Sequence, residues 1–289
     1  MKAKRKIMLI IVILLILIAA LRLYIDNNVL EVSYYKVKSD KIPASFKGFK
    51  ILQLSDLHSK SFGSNNKKLI RKINRENPDI VVMTGDMVSE RDSDFEVFIN
   101  LAEQIGKRYD TYYIVGNHEQ NLDDVLRKAL IDKLINIGIR VLDNEKVTIT
   151  RGKDSINIYG LWFNLRYYKD VNNEYTRDIY FGAGQIQSIL GNLDTGSYNI
   201  LLAHNPLYAD TYSNWGADLI LSGHIHGGMI RIPFAGGLLS PEIKLFPEYD
   251  AGKYQVNGKT LIVNRGLSRG EFGFRVFNRP EISVITLSD

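Results

Sequence analysis

Residues 217–228 read ADLILSGHIHGG: an apolar run, a Ser-Gly pair, two histidines at i and i+2, and two glycines. A short apolar run bounded by turn residues is the pattern of a strand buried on both faces, as in a parallel sheet. On an extended chain, side chains at i and i+2 share a face, so His224 and His226 can flank one centre. The same design recurs. FKILQLSDLH (49–58), PDIVVMTGDMV (78–88), TYYIVGNHE (111–119) and SYNILLAHNP (197–206) each run from an apolar strand into a polar tip. Helical spacing follows the first three: residues 66–77 with Leu69, Ile70 and Ile73, then about 94–106, then about 122–137. This strand–helix alternation predicts a layered α/β core with parallel strands.

The remaining segments fill in the body. RVLDNEKVTI (140–149) and SINIYGLWF (155–163) read as a hairpin turning at Arg151-Gly152-Lys153, and about 183–191 reads as a helix. Residues 252–266 form a second hairpin pattern with Asn257-Gly258 at the turn. EISVITL (281–287) is a last strand, and VSYYKV (32–37) an edge strand within a tether over 26–44. No repeat and no long linker divides residues 45–289.

The five tips hold His58, His118, His204, His224 and His226, which is every histidine in the chain. Each tip alone has an ordinary explanation: a capping Asp after a glycine, a strand-end histidine, a helix start at Asn117-His118-Glu119. Five tips that all carry ligand types do not. In open α/β sheets, ligands bind at the carboxyl edge of the strands, so these side chains should converge. The absence of cysteine excludes disulfides, zinc–thiolate sites, iron–sulfur clusters and thiol catalysis. Any metal must be held by nitrogen and oxygen.

The net charge of +5 is concentrated at one end. Lys2, Lys4, Arg5, Lys6 and Arg22 stand against Asp26 alone in the first thirty residues, which leaves the body nearly neutral. A neutral body offers no stripe that would track nucleic-acid phosphates. The basic head (1–6) precedes IMLIIVILLILIAAL (7–21), which has no charge. With Leu23 to Ile25 and a snorkelling Arg22, residues 7–25 approach the ~17–25 residues that cross a bilayer. Ile18-Ala19-Ala20 is a poor cleavage site because its first position is bulky, so an uncleaved single-pass signal anchor is expected. A basic head stays in the cytoplasm and sends the body outside the membrane.

DLH (56–58), GD (85–86), GNHE (116–119), His204 and GHIH (223–226) resemble, in order, the motifs of the calcineurin-like metallophosphoesterases. The likeness spans about residues 49–287. GHIHGGMIRIP and GLLSPEIKLFPEYDAGKY are similar to the bacterial branch that carries an N-terminal membrane or export segment. The resemblance implies a four-layer α/β/β/α sandwich with two central mixed β-sheets, here after a transmembrane helix, with residues 45–289 as the catalytic domain. It implies a phosphoesterase with two divalent ions, of Mn, Fe or Zn, whose bridging hydroxide attacks phosphorus in a phosphodiester or phosphomonoester. Asp56, His58, Asp86 and His226 would hold one ion; Asp86, Asn117, His204 and His224 would hold the other. His118 would act as general acid or transition-state stabiliser, with Glu119 or another carboxylate orienting its ring; many relatives have Asp at that position. Arg231, Arg265 and Arg269, with Tyr and Phe residues from 234–275, are candidates for phosphate or head-group contacts. An anchored domain puts membrane or envelope phosphoesters, including lipid-linked ones, within reach. The alternatives are a nuclease of the same fold and a non-catalytic metal-binding scaffold, but none of the seven ligands is missing. No protein partner can be inferred.

Overall fold

The computed structural model describes residues 2–162, 164–167, 181–241, 244–270 and 273–289. Phe163 and Phe272, which fall within the expected strand and aromatic set, lie outside them. The helices are α1 (Lys2–Asn28), α2 (Lys67–Glu76), α3 (Glu96–Gly106), α4 (Asn117–Gln120), α5 (Asp124–Asn136), α6 (Ala183–Leu190) and α7 (Ala209–Trp215). The first strands are β1 (Glu31–Lys38), β2 (Lys50–Leu54), β3 (Ile80–Thr84), β4 (Asp110–Ile114), β5 (Arg140–Val141), β6 (Glu145–Arg151) and β7 (Asp154–Leu161). They are followed by β8 (Tyr198–Ala203), β9 (Leu219–Ser222), β10 (Arg231–Ile232), β11 (Gly236–Gly237), β12 (Gly252–Val256), β13 (Lys259–Val263) and β14 (Glu281–Ser288).

Two six-stranded sheets result, ordered β1-β14-β2-β3-β4-β5 and β12-β13-β9-β8-β7-β6, and β10 and β11 pair as a small separate ribbon. Both are mixed. β2 to β5 run parallel, as do β13, β9, β8 and β7, whereas β14 is antiparallel to β2. Period-two alternation sorts the buried residues into three layers. Ile51, Val82 and Ile114 of the first sheet meet Ile158, Ile200, Leu202 and Leu221 of the second. On the outer face of the first sheet, Leu52, Val81 and Tyr113 pack on Leu69, Phe98 and Leu134 of the helices. On the outer face of the second, Leu201, Ile220 and Leu261 pack on Ile186 and Tyr212. The expected four-layer α/β/β/α sandwich is the fold.

Three local readings differ. Residues 140–149 are not one strand: β5 belongs to the first sheet and β6 to the second, and the chain crosses between them at 142–144. Asn144 makes that crossing with φ +54° while its Oδ1 accepts from the Trp162 amide at 2.8 Å. Helix α7 has too few residues to show a helical period, and its place was not read from sequence. Helix α1 runs past residue 25 to Asn28, and β1 begins at Glu31, so little of the expected tether is free chain. The reason is specific bonding at its end. Asp26 accepts from Arg22 Nε at 2.9 Å and from the Phe277 amide at 2.7 Å. Asn27 exchanges two hydrogen bonds with the backbone of Arg275, at 2.9 and 3.0 Å. Arg22 also lies 4.6 Å over the Phe277 ring, so its charge is met by neighbours and snorkelling is not required. At ~1.5 Å per residue the helix is long enough for the ~30 Å hydrocarbon core, and its apolar side chains from Ile7 to Ile18 are exposed.

Candidate metal centre

The carboxyl ends of β2, β3, β4, β8 and β9 open on one edge, and the tips of β2, β3 and β9 turn sharply as they leave their strands. Asp56, His58, Asp86, His224 and His226 all have φ between +43° and +71°. Such a conformation costs a non-glycine residue about 1–3 kcal/mol. Glycine would relieve that cost but would remove the side chain. Glycine sits instead where space is lacking: a Cβ on Gly116 would lie 2.1 Å from Asp86 Oδ1, and one on Gly223 would lie 2.0 Å from Ser55 Oγ.

The turns bring seven side chains together. Candidate ligand atoms of Asp56, His58 and His226 lie within 4.8 Å of one another, as do those of Asp86, His204 and His224, and those of His58, Asp86 and His118. Opposite ligands ~2.1 Å from one ion are about 4.2 Å apart, so each group is close to coordination spacing. Asp86 is the common member. Its Oδ2 is 3.1 Å from His204 Nε2 and 3.9 Å from Nε2 of both His58 and His118. Its Oδ1 accepts from the His118 amide at 2.8 Å. Oδ2 is therefore the oxygen of Asp86 that faces His58, His118 and His204.

Hydrogen bonds fix which ring nitrogens face inward. His204 Nδ1 bonds the Thr84 carbonyl at 2.6 Å, which directs Nε2 to Asp86. His118 Nδ1 accepts from the Glu90 amide at 3.2 Å, so the neutral ring carries its proton on Nε2. Glu119 does not orient that ring. Its carboxylate accepts from the amides of Asp86, Met87, Val88 and Gly116 at 2.6–3.2 Å and holds the strained turn that presents Asp86. His58 Nε2, Asn117 Oδ1 and His226 Nδ1 are buried without a hydrogen-bond partner. Orphaned acceptors of this kind are costly unless something else binds them.

The charges follow the same logic. Burial pushes the His58 imidazole down to about 3, and burial with His58 beside it pushes His226 well below its ordinary value, so both present lone pairs. Burial opposes charge on both Asp86 and His204, yet their mutual attraction prevails. Asp86 is held well below the usual carboxylate range, and His204 is pushed up to about 10. Burial raises Asp56. Carboxylate oxygens and imidazole nitrogens grouped in this way suit a divalent cation.

A cavity of about 640 Å³ opens above the cluster, lined by His58, Lys60, Glu90, Arg91, His118, Ser268 and Arg269 among others. Of the three arginines that were candidates for phosphate contacts, Arg269 lines it. Arg231 is instead 3.1 Å from Asp250 and donates to Gly227 O, and Arg265 sits 3.3 Å from both Glu281 and Glu31. Tyr249 and Tyr254 pack on each other with ring centroids 5.3 Å apart. Lys60 and Arg91 were not foreseen. Lys60 stands two residues after His58 and Arg91 five after Asp86, and adjacency to a motif is the signal that could have found them.

The pattern of the calcineurin-like phosphoesterases matches residues 49–228. The metallophosphoesterase YkuE of Bacillus subtilis is 30% identical over 271 residues, which are 91% of this chain and 87% of that protein. The phosphodiesterase YaeI of Escherichia coli is 27% identical over 243 residues, 83% of this chain and 82% of its own. A transmembrane protein with metallophosphoesterase domain from Bos taurus is 30% identical over 268 residues, 89% of this chain but 56% of its own. The structure of TT1561 from Thermus thermophilus shares the fold, with a TM-score of 0.50 at 11% identity over 77% of this chain and 91% of that one. The matched segment begins at the strand that carries Asp56 and closes two residues past His226, so the family's pattern and the polar cluster are the same stretch of chain. The chain belongs to the calcineurin-like phosphoesterase family, and it is a hydrolase of phosphoric esters.

Proposed function

We propose that this protein is a membrane-anchored phosphoesterase that works with two divalent ions, Mn, Fe or Zn, on a membrane- or envelope-associated phosphoester. One ion would be held by Asp56, His58, Asp86 and His226, and the other by Asp86, Asn117, His204 and His224. The observation that carries the reading is the position of Asp86 Oδ2, 3.1 Å from an imidazole of one sheet and 3.9 Å from two of the other. Bound ions at ~3.5–4 Å spacing would supply an activated water and clamp the phosphoryl oxygens. The chain's own groups do the rest. His118 is set apart from the ligands by its tautomer: a nitrogen that bears a proton cannot ligate but can donate to a leaving oxygen. Arg91 and Arg269 line the cavity with positive charge and suit a phosphate, with Lys60 beside them. Asn117 adds a neutral carbonyl oxygen, which limits negative charge where an anionic substrate must enter.

Residues 7–25 would cross the membrane, with the basic head 1–6 in the cytoplasm and residues 45–289 as a catalytic domain outside it. The apolar, exposed α1 and the transmembrane relative support anchoring. The test uses the full chain in detergent. Mn²⁺ should restore hydrolysis of bis(p-nitrophenyl) phosphate or p-nitrophenyl phosphate after chelation, and metal analysis should find two ions per chain. A metal-loaded protein that cleaves neither ester would refute the reading, and cleavage of plasmid or single-stranded DNA at a higher rate would move it to a nuclease.

A further inference from the structure

The end of α1 touches the catalytic cavity through one of its lining residues, Lys60. Lys60 lines that cavity, and its Nζ donates to the Asn27 carbonyl at 2.7 Å and to the Leu267 carbonyl at 3.2 Å. Asn27 in turn is bonded to the backbone of fully buried Arg275. Next to this junction lies a groove of about 600 Å³, lined by Leu23, Tyr24, Asn27, Phe274, Val276 and Arg269. Arg269 lines the groove and the cavity together. Tyr24 and Phe274 are 60% and 48% exposed, so the groove has aromatic lips and no protein cover among the described residues.

Leu23, Tyr24 and Ile25 are the last apolar residues of the spanning helix, where hydrocarbon gives way to head groups. A groove that starts at that level is bathed by acyl chains and leads, past one arginine, to the candidate metal ligand His58 and to His118. A membrane phospholipid has the same order along its length: apolar chain, then phosphoester. From this geometry we infer that the substrate is an amphiphilic phosphoester drawn from the bilayer, its hydrocarbon chain lying between α1 and Phe274 and its phosphate beside Arg269. The inference rests on the phosphoesterase reading above and specifies its substrate class.

The experiment uses the full chain in phosphatidylcholine nanodiscs with Mn²⁺ and p-nitrophenyl phosphodiesters bearing a methyl, octyl or hexadecyl group. Burial of a methylene is worth up to roughly fourfold, so kcat/KM should rise at least about 100-fold from methyl to octyl. Phe274→Asp should cut the octyl-to-methyl ratio at least about tenfold, and Phe274→Leu should keep it. In EDTA, without turnover, a diazirine-tagged octyl phosphate should crosslink to residues 23–28 and 273–276. Equal rates on all three esters, or Phe274→Asp with an unchanged ratio, overturns the groove and leaves the phosphoesterase intact. Crosslinking without hydrolysis of any ester overturns the phosphoesterase and leaves the groove.

Discussion

At the β1–β14 edge, Arg265 lies 3.3 Å from carboxylate oxygens of both Glu281 and Glu31, and its amide and the Tyr35 hydroxyl donate to Glu281 as well. At the sheet tips, Asp86 is equally buried but faces three imidazoles instead of a guanidinium. In the first cluster burial would raise Glu281, but Arg265 holds it below the usual carboxylate range. In the second, His58 and His226 are pushed toward neutrality and buried donor atoms are left without hydrogen bonds. One cluster is closed by its own side chains. The other is complete only with a cation from outside. Buried charge is therefore a poor marker of function by itself; buried acceptors without partners are the better one.

Asp86→Ala should give the largest break. It removes the oxygen that His58, His118 and His204 all face, so metal content and hydrolysis should fall together. The loss should exceed the ~10²–10⁴-fold expected of His118→Ala, which removes a proton donor and leaves the ligands in place. Metal analysis beside kcat separates them: the His118 variant should keep its metal and lose most on the poorest leaving group. If Asp86→Ala retains metal-dependent turnover, the contrast between the two clusters has no functional meaning.

The open cluster was legible in the sequence because its parts are rare and their settings plain. Five histidines follow four apolar runs, a fifth run ends in Gly85-Asp86, and parallel strands place successive tips on one edge. The strand–helix alternation was legible because buried strands and amphipathic helices differ in period, whereas the four layers came from the resemblance to the family. The supports were not. Glu119 reads as one more tip residue, and only coordinates reveal that it ties four backbone amides. The bond between Asn27 and Arg275 joins residues 248 apart, and nothing local announces it. Arg265 was one of three candidates for phosphate, because an arginine near a motif looks the same whether it meets a substrate or a carboxylate across the sheet.

Glu281→Gln probes the closed cluster. It leaves Arg265 with part of its countercharge gone, and breaking a buried pair costs about 3–5 kcal/mol of stability. Chemical denaturation should register that loss, while metal content remains at the wild-type value. Arg265→Met with Glu281→Leu should return part of the stability, since no charge is then left buried. A Glu281→Gln variant that lost metal first would show that the clusters are one network.

Lys60 gives a third answer to burial. Its ammonium is near Arg275 and Arg269, and burial first, then those two charges, push it down to about 7. An unfolded lysine titrates near 10.4. Between these values the unfolded chain binds a proton that the native chain does not, so stability must rise with pH across that interval. Below pH 7 both states are protonated and the slope from this group vanishes. Lys60→Met should lack the rise, and the difference between the two unfolding midpoints, measured in EDTA from pH 6 to 10, isolates it from other groups. Parallel curves would mean that Lys60 keeps its charge at the junction with α1, and that a buried cation there is held as firmly as Arg265 is at the sheet edge.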